Sequence, residues 1–216
     1  MATKPTEGQL SRRVQILTAE HAALQTQRAS TQSEVLVRQG LFLTFAGAVL
    51  VSLGLVAQAV GFSRDFFVIA VCALAVVALL GVQTLIRQGN ADAEDMMYVL
   101  AMNRIRGAYA DLEPEVAGAF LASTHDDHPG AFHTYYFFGE RRNVVVASAA
   151  IFLTIVTSGI VGLLGGSIAG LAGAAVGVAV AAGVVAALLA FTGMLLWTAR
   201  TFKAAQRIHV PRYPSP

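Results

Sequence analysis

Four long apolar runs dominate the chain, separated by polar stretches of very unequal length. The runs cover 41–62, 66–86, 144–164 and 171–197, and none contains Asp, Glu, Lys, Arg or His. About 20 helical residues cross the hydrocarbon core of a bilayer, so each run is long enough to span it. A helix in a soluble core keeps a polar face at the 3.6-residue period, and these runs lack one. The pattern predicts an all-α integral membrane protein with four transmembrane helices. Its expected parts are an N-terminal helix over 1–39, a first transmembrane hairpin over 40–87, a central helical segment over 88–142, a second hairpin over 143–199 and a tail over 200–216. The first run begins after forty mostly polar residues, too late for a cleaved secretory signal, and is expected to stay as the first span.

A different periodicity governs the N-terminal stretch. Leu10, Val14, Leu17, His21, Leu24, Arg28, Thr31 and Val35 follow alternating steps of four and three, a heptad seam. No Gly or Pro interrupts 9–39, so this helix is expected to run into the first span. The seam fits either an oligomerising coiled coil or an amphipathic helix packed on the chain's own central segment or on lipid headgroups. His21 on that seam could act as a pH switch, since a free imidazole titrates near neutral pH, but a half-exposed seam histidine without a role is the expectation adopted.

In the central segment, "NADAEDMMYVLAMNRIRGAY" reads as a helix capped by Asn90 or Asp92, with Asp92, Glu94 and Asp95 in its first turn and Arg104 and Arg106 near its end. A second helix is expected at Pro114, with Val116 and Phe120 on one face. The pair would form a hairpin too small to stand alone, leaning on the N-terminal helix or the membrane. Further on, Phe132, Tyr135, Tyr136, Phe137 and Phe138 beside Arg141 and Arg142 fit an interfacial aromatic belt. Aromatic and basic residues together also suit nucleic acid, but the chain has no broad basic face, and no nucleic-acid partner is expected.

The last two spans are rich in glycine. Gly162, Gly166 and Gly170 repeat every fourth residue, as do Gly173 and Gly177. Small residues at this spacing let helix backbones approach closely in lipid. They point to a tight hairpin between spans three and four, or to a self-association face.

Charge adds direction. Charged residues are 13% of the chain, against about a quarter in a soluble domain. Of the 15 Lys and Arg residues, only Arg64 falls in the short connections between spans one and two or three and four; the others lie before span one, between spans two and three, or after span four. The positive-inside rule then puts both termini and the central segment in the cytoplasm. Arg outnumbers Lys thirteen to two, a habit of GC-rich bacterial genomes that suggests a bacterial cytoplasmic membrane. The lone Cys72 excludes an internal disulfide.

Candidate chemistry is sparse. Ion-coupled transport needs ionisable groups at membrane depth, and the runs hold none; their polar groups are Ser52, Gln58, Thr154, Thr157, Ser158, Thr192 and a few like them. Thr154, Thr157 and Ser158 share a face and can bond to their own backbone at i−4. Phosphate-loop, G-x-S-x-G, HExxH and paired-Cys motifs are absent from the sequence, so no enzyme, catalytic residue or cofactor is expected. The stretch "STHDDHPGAFH" gathers His125, Asp126, Asp127, His128 and His133, residue types that suit a divalent metal. Its ligands all come from one segment, and its composition is also that of an ordinary loop, which is the expectation adopted: no metal. The sequence thus points to a non-enzymatic membrane interaction or regulatory protein whose partners are the lipid bilayer, a cytosolic or membrane protein, and a second copy of itself. The alternative is a homo-oligomeric passive pore or channel, and a more remote one is a metal-dependent sensor or enzyme that uses the stretch from His125 to His133.

Overall fold

A computed structural model describes residues 6–137, 139, 148–206 and 209–216, with 202–206 as backbone only. The described chain is helical, without strands. Its elements are α1 (Glu7–Val60), α2 (Arg64–Leu112), α3 (Pro114–Ala117), α4 (His128–Tyr135), α5 (Ala149–Leu171) and α6 (Val176–Gln206). Four helices, α1, α2, α5 and α6, are long and apolar enough to cross a membrane. Residues 144–147 at the start of the third expected span lie outside the described residues, as do Phe138, Glu140, Arg141 and Arg142 of the expected belt.

Two compact units emerge from the packing. The first comprises 1–33, 91–142 and 204–216; the second comprises 34–90 and 143–203. All four apolar runs fall in the second unit, so packing and hydropathy divide the chain at the same places.

In the second unit, the inward stripe of α1 (Phe42, Ala46, Leu53) meets that of α2 (Phe66, Ala70, Leu74, Val77, Leu85) and Leu153 and Ile160 of α5. Outward positions are apolar too: Leu41, Val51, Leu79, Val176 and Leu189 are each at least 60% exposed. A soluble unit rarely leaves so much apolar surface bare, whereas lipid is a suitable solvent for it. Polar side chains mark the ends of the apolar stretches. Arg87 donates to both carboxylate oxygens of Glu34 at 3.2 and 2.9 Å, and Gln39 bonds Gln88. The Arg87 bond, together with the Arg87 and Arg38 charges, holds the Glu34 carboxyl below its ordinary value.

Two glycine contacts close this packing. Gly81 of α2 faces Thr157, where a Cβ would lie 2.8 Å from the threonine side chain. Gly162 of α5 faces α6, where a Cβ would lie 2.9 Å from the Gly183 carbonyl and the Ala187 Cβ. Gly166 lies against Ala179 of α6, but Gly170 meets the Phe67 ring of α2. Gly173 and Gly177 touch neither helix: Gly173 makes the α5–α6 turn at φ +81°, and Gly177 faces open space. The fourfold spacing therefore marks a helix contact at Gly162 and Gly166 and a turn at Gly173.

Local expectations differ in three places. α2 begins at Arg64, with the Ser63 hydroxyl accepting from Phe66 N–H, and continues through Asn90 and Asp92 without a new cap. The stretch lacks proline, and Gly89 alone, costing about 1 kcal/mol against alanine, does not stop a helix packed on both sides. Pro114 does start a helix, but α3 is a single turn of four residues. Half of the histidine-rich stretch, expected as a loop, is helix α4, because Asp127 caps it by accepting from Gly130 N–H and Pro129 fits its first turn.

Candidate functional site

The first unit joins three stretches that are far apart in sequence, and three carboxylates account for most of the joining. α1 presents its seam: Leu10, Leu17, His21, Leu24, Arg28 and Thr31 turn inward while Val14 stays exposed. Leu24 packs against Met96, Val99, Leu100 and Met102 of α2 and Ala131 of α4. Numbering falls along α2 as it rises along α1: Thr18 meets Tyr109 at 3.2 Å, and Arg28 meets Asp95. The seam thus packs on the chain's own α2 in antiparallel fashion.

Asp95 is the first of these carboxylates. It accepts from Arg28 Nε at 2.6 Å and a second Arg28 nitrogen at 3.1 Å, from Tyr135 Oη at 2.7 Å and from Gln32 Nε2 at 3.2 Å. Burial opposes its ionisation, but the bonds from Arg28, Tyr135 and Gln32 outweigh that and hold the carboxyl below its ordinary value. Burial and the Asp95 bond raise the Tyr135 phenol. Tyr135, expected at headgroup level, has its hydroxyl engaged inside this network.

Asp126, read from sequence as a loop residue, is completely buried. Its carboxylate accepts from the backbone N–H of Tyr213 at 2.6 Å, the N–H of Arg212 at 2.9 Å and Arg104 Nε at 2.6 Å. Its own N–H donates to the Tyr213 carbonyl at 3.1 Å, and its carbonyl contacts His209 Nε2 at 2.6 Å. Burial again opposes ionisation, and the two backbone donors with Arg104 overcome it, so the carboxyl sits below its ordinary value. Asp127 repeats the device on a smaller scale, accepting from the Ser215 hydroxyl at 2.8 Å and the Ser215 N–H while capping α4. Tyr213 completes the dock: its hydroxyl donates to Asp111 at 2.7 Å, and its ring lies against Gly107, where a Cβ would stand 2.8 Å away.

Asn103, also fully buried, holds the stretch between α3 and α4. Its Nδ2 donates to the His125 carbonyl at 2.9 Å, and its Oδ1 accepts from Thr134 Oγ1 at 2.9 Å and Arg106 at 2.7 Å. Gly130 is obligatory here, since a Cβ would lie 2.1 Å from the His125 carbonyl oxygen.

The five sequence candidates for a metal therefore diverge. Asp126 and Asp127 bind the C-terminal tail. His125 contributes backbone groups to Asn103 and Ser123. His128 begins α4 and stacks on Phe132 at 4.8 Å, and His133 is exposed in its last turn. Among the described residues, no three of His, Cys, Asp and Glu gather where a metal ion could be held. Sequence reasoning gave no role to Asn103, His209 and Tyr213 and read Asp95 only as a first-turn acid; the available signal was Gly107 in α2, which marks a close approach.

Within the second unit, Thr154 bonds the Ala150 carbonyl at 2.7 Å as its i−4 spacing allows. Ser158 instead contacts Met194 Sδ at 3.9 Å, and the Thr157 hydroxyl is buried without a partner among the described residues. A groove of about 1010 Å³ opens among α1, α2, α5 and α6, lined by Leu50, Phe66, Gly162, Gly166, Val180 and similar residues.

No protein-family model matches the chain, and no curated protein or solved structure is detectably similar to it.

Proposed function

We propose that this is a non-enzymatic multi-pass protein of a bacterial cytoplasmic membrane. Its first unit faces the cytoplasm with both termini and serves as a scaffold for a partner protein. The observation that carries this reading is the use of charge in the first unit. Asp95, Asp126 and Asp127 are held as ionised acceptors by saturating sets of donors. Carboxylates depressed in this way are poor general acids or bases at neutral pH, but they fix segments in place. Exposed apolar side chains at Val116, Leu121, Phe132 and Phe137 give the unit surface for a partner or for headgroups. A pore fits less well. The exposed hydroxyls of Ser52, Ser167 and Thr192 bond carbonyls of their own helices at 2.8 Å, leaving apolar outer faces.

Single cysteines at Ala119 and at Phe62, in a Cys72→Ala background, test the orientation. Labelling of Ala119 from outside intact cells would reverse it. Size in detergent, paired with conductance in liposomes, tests the role: an assembly that conducts would replace the scaffold reading with an oligomeric pore.

A further inference from the structure

The groove of about 1010 Å³ in the second unit has a definite depth. Its walls run from Gly159 to Gly170 on α5 and from Val176 to Ala187 on α6. Each wall covers eleven residue steps, or about 17 Å at 1.5 Å per residue. Leu50 to Ala57 of α1 and Phe62 to Leu74 complete it, so all four walls belong to the half of the bundle next to the two short connections. Towards the other half the helices close on one another, with Gly81 of α2 against Thr157 of α5 and Phe42 of α1. Half of the roughly 30 Å hydrocarbon core of a bilayer is about 15 Å. The groove is therefore one leaflet deep.

Glycines make the space. A Cβ on Gly54 of α1 or on Gly159 of α5 would have no heavy atom within 4 Å, although both residues line the groove. The lining suits neither water nor a polar ligand. Ser167 supplies its one hydroxyl, which already donates to the Leu163 carbonyl at 2.8 Å, and the other lining residues are apolar. Ordered water needs two to four polar partners, and hydrocarbon needs none. At the connections the wall becomes aromatic: the rings of Phe62, Phe66 and Phe67 meet pairwise at 5.3, 5.4 and 6.4 Å. The Phe67 ring lies against Gly170 and joins this wall to α5. Arg64, between Phe62 and Phe66 in sequence, is exposed and is the one Lys or Arg in either short connection. The neighbouring Asp65 occupies the first turn of α2, where the helix dipole favours an acid.

We infer that this groove is a lipid site, holding an acyl chain of an anionic phospholipid whose headgroup phosphate pairs with Arg64. Depth selects the chain over a helix from a second copy. A spanning helix needs a seam across the whole hydrocarbon thickness, whereas a chain needs one leaflet, which is what the walls provide. Charge selects the headgroup, since an exposed guanidinium at the mouth attracts an uncompensated phosphate. The site lies in the second unit and stands apart from the partner reading of the first.

Photo-cross-linking of the full-length protein in phosphatidylcholine nanodiscs tests it. The probe is phosphatidylglycerol with a diazirine on one acyl chain, raised in steps at constant total lipid. Leu53, Phe66 and Leu74 line the groove and are 9%, 8% and 3% exposed, so a chain reaches them from within it. Val178 and Leu189 lie outside the groove and are 59% and 68% exposed. Labelling of the first set should saturate, while labelling of the second rises in proportion to the probe. Gly54→Phe with Gly159→Phe, which fills the groove, should abolish the first and spare the second. Arg64→Gln should raise the half-saturating probe fraction about fivefold. First-set labelling that grows in proportion to the probe, or that survives the filled groove, overturns the site as ordinary bilayer contact. Cross-links from the groove to a second copy in place of lipid overturn it in favour of a neighbouring helix. An unchanged half-saturation in Arg64→Gln overturns the headgroup contact and with it the anionic ligand. If the filled variant does not fold, the wild type decides. Exchanging phosphatidylcholine for unlabelled phosphatidylglycerol at constant probe should suppress the first set alone, and a first set left unchanged overturns the site.

Discussion

Asp126 and Tyr213 bind each other twice across 87 positions of sequence, once by backbone and once by side chain. The Asp126 N–H donates to the Tyr213 carbonyl at 3.1 Å, and the Tyr213 N–H donates to the Asp126 carboxylate at 2.6 Å. The pair ties the end of the described chain to the segment preceding α4. Replacing Asp126 with Ala removes the acceptor shared by Arg212, Tyr213 and Arg104, and leaves their donors to water. A hydrogen bond to a charged group contributes about 1.5–3 kcal/mol, so we expect a loss of roughly that size in tail docking. Amide exchange at Arg212 and Tyr213 should rise by at least tenfold, with exchange in α5 unchanged. Equal protection in the variant and the wild type would show that the Tyr213 ring and Asp127 hold the tail without Asp126.

Acid should release the same contact, and the sign follows from the carboxyls. Asp126 and Asp127 both sit below the ordinary carboxylate value of 3.8 when folded. A group depressed in the folded state contributes stability above its unfolded pKa and loses it as pH falls through the folded one. Tail protection should therefore hold from pH 7 to about 4 and disappear only below 3.8. Loss of protection between pH 7 and 5 would show that these two carboxylates do not control the dock.

Arg28 and Asp95 allow a cleaner energetic test, because both oxygens of the carboxylate are engaged and the pair joins α1 to α2. Arg28 is 37% exposed, so solvent screens the attraction, and a coupling of about 1 kcal/mol is the reasonable scale. A double-mutant cycle with Arg28→Met and Asp95→Asn, read by thermal unfolding in detergent, should give that value with a stabilising sign. Tyr135→Phe should raise the Asp95 pKa by removing a donor to the ionised form. A coupling of zero would mean that the Leu24 contacts with α2, rather than the ion pair, set this packing.

The parts of the fold that repeat were legible in the sequence, and the parts made by single long-range contacts were not. The apolar runs around Phe42, Val77, Ile160 and Val180 carry their own signal, because lipid solvation demands some twenty consecutive apolar residues. The heptad from Leu10 to Val35 did too, since its partner, α2, reads every third or fourth position. Asp126 gives no such signal. Its burial depends on Arg104, Arg212 and Tyr213 arriving from two other segments, and locally it is one of several polar residues in a stretch that looks like a loop. Pro129 beside Asp127 did hold the information for α4, as a capping residue followed by proline, but the Ser, Thr, Asp, His, Pro and Gly composition of the stretch read as an ordinary loop instead. Gly173 and Gly166 show the converse limit. Spacing alone treats them alike, while backbone conformation makes one a turn and the other a helix contact.

That last distinction yields the sharpest mutational contrast in the second unit. Gly162 has its neighbour's backbone where a side chain would go, with the Gly183 carbonyl 2.9 Å from a Cβ, so even alanine must push α5 and α6 apart. Gly177 belongs to the same glycine-rich region but has no heavy atom within 4 Å of a Cβ. Overpacking a closely fitted contact typically costs about 1–3 kcal/mol, whereas alanine at an open helical position gains up to about 1 kcal/mol in helix propensity. Gly162→Ala should therefore lower the detergent melting temperature, and Gly177→Ala should leave it unchanged or raise it slightly. Gly81→Ala belongs with Gly162, but its effect should be milder. The atoms it meets are the Thr157 side chain at 2.8 Å and the Phe42 ring at 3.0 Å, and side chains can rotate away where a carbonyl cannot. Combining Gly81→Ala with Thr157→Ala, which deletes both the methyl and the hydroxyl that the new Cβ would meet at 2.8 Å, should recover part of the loss. Equal melting temperatures for the Gly162→Ala and Gly177→Ala proteins would mean that α5 and α6 do not pack through this face in detergent.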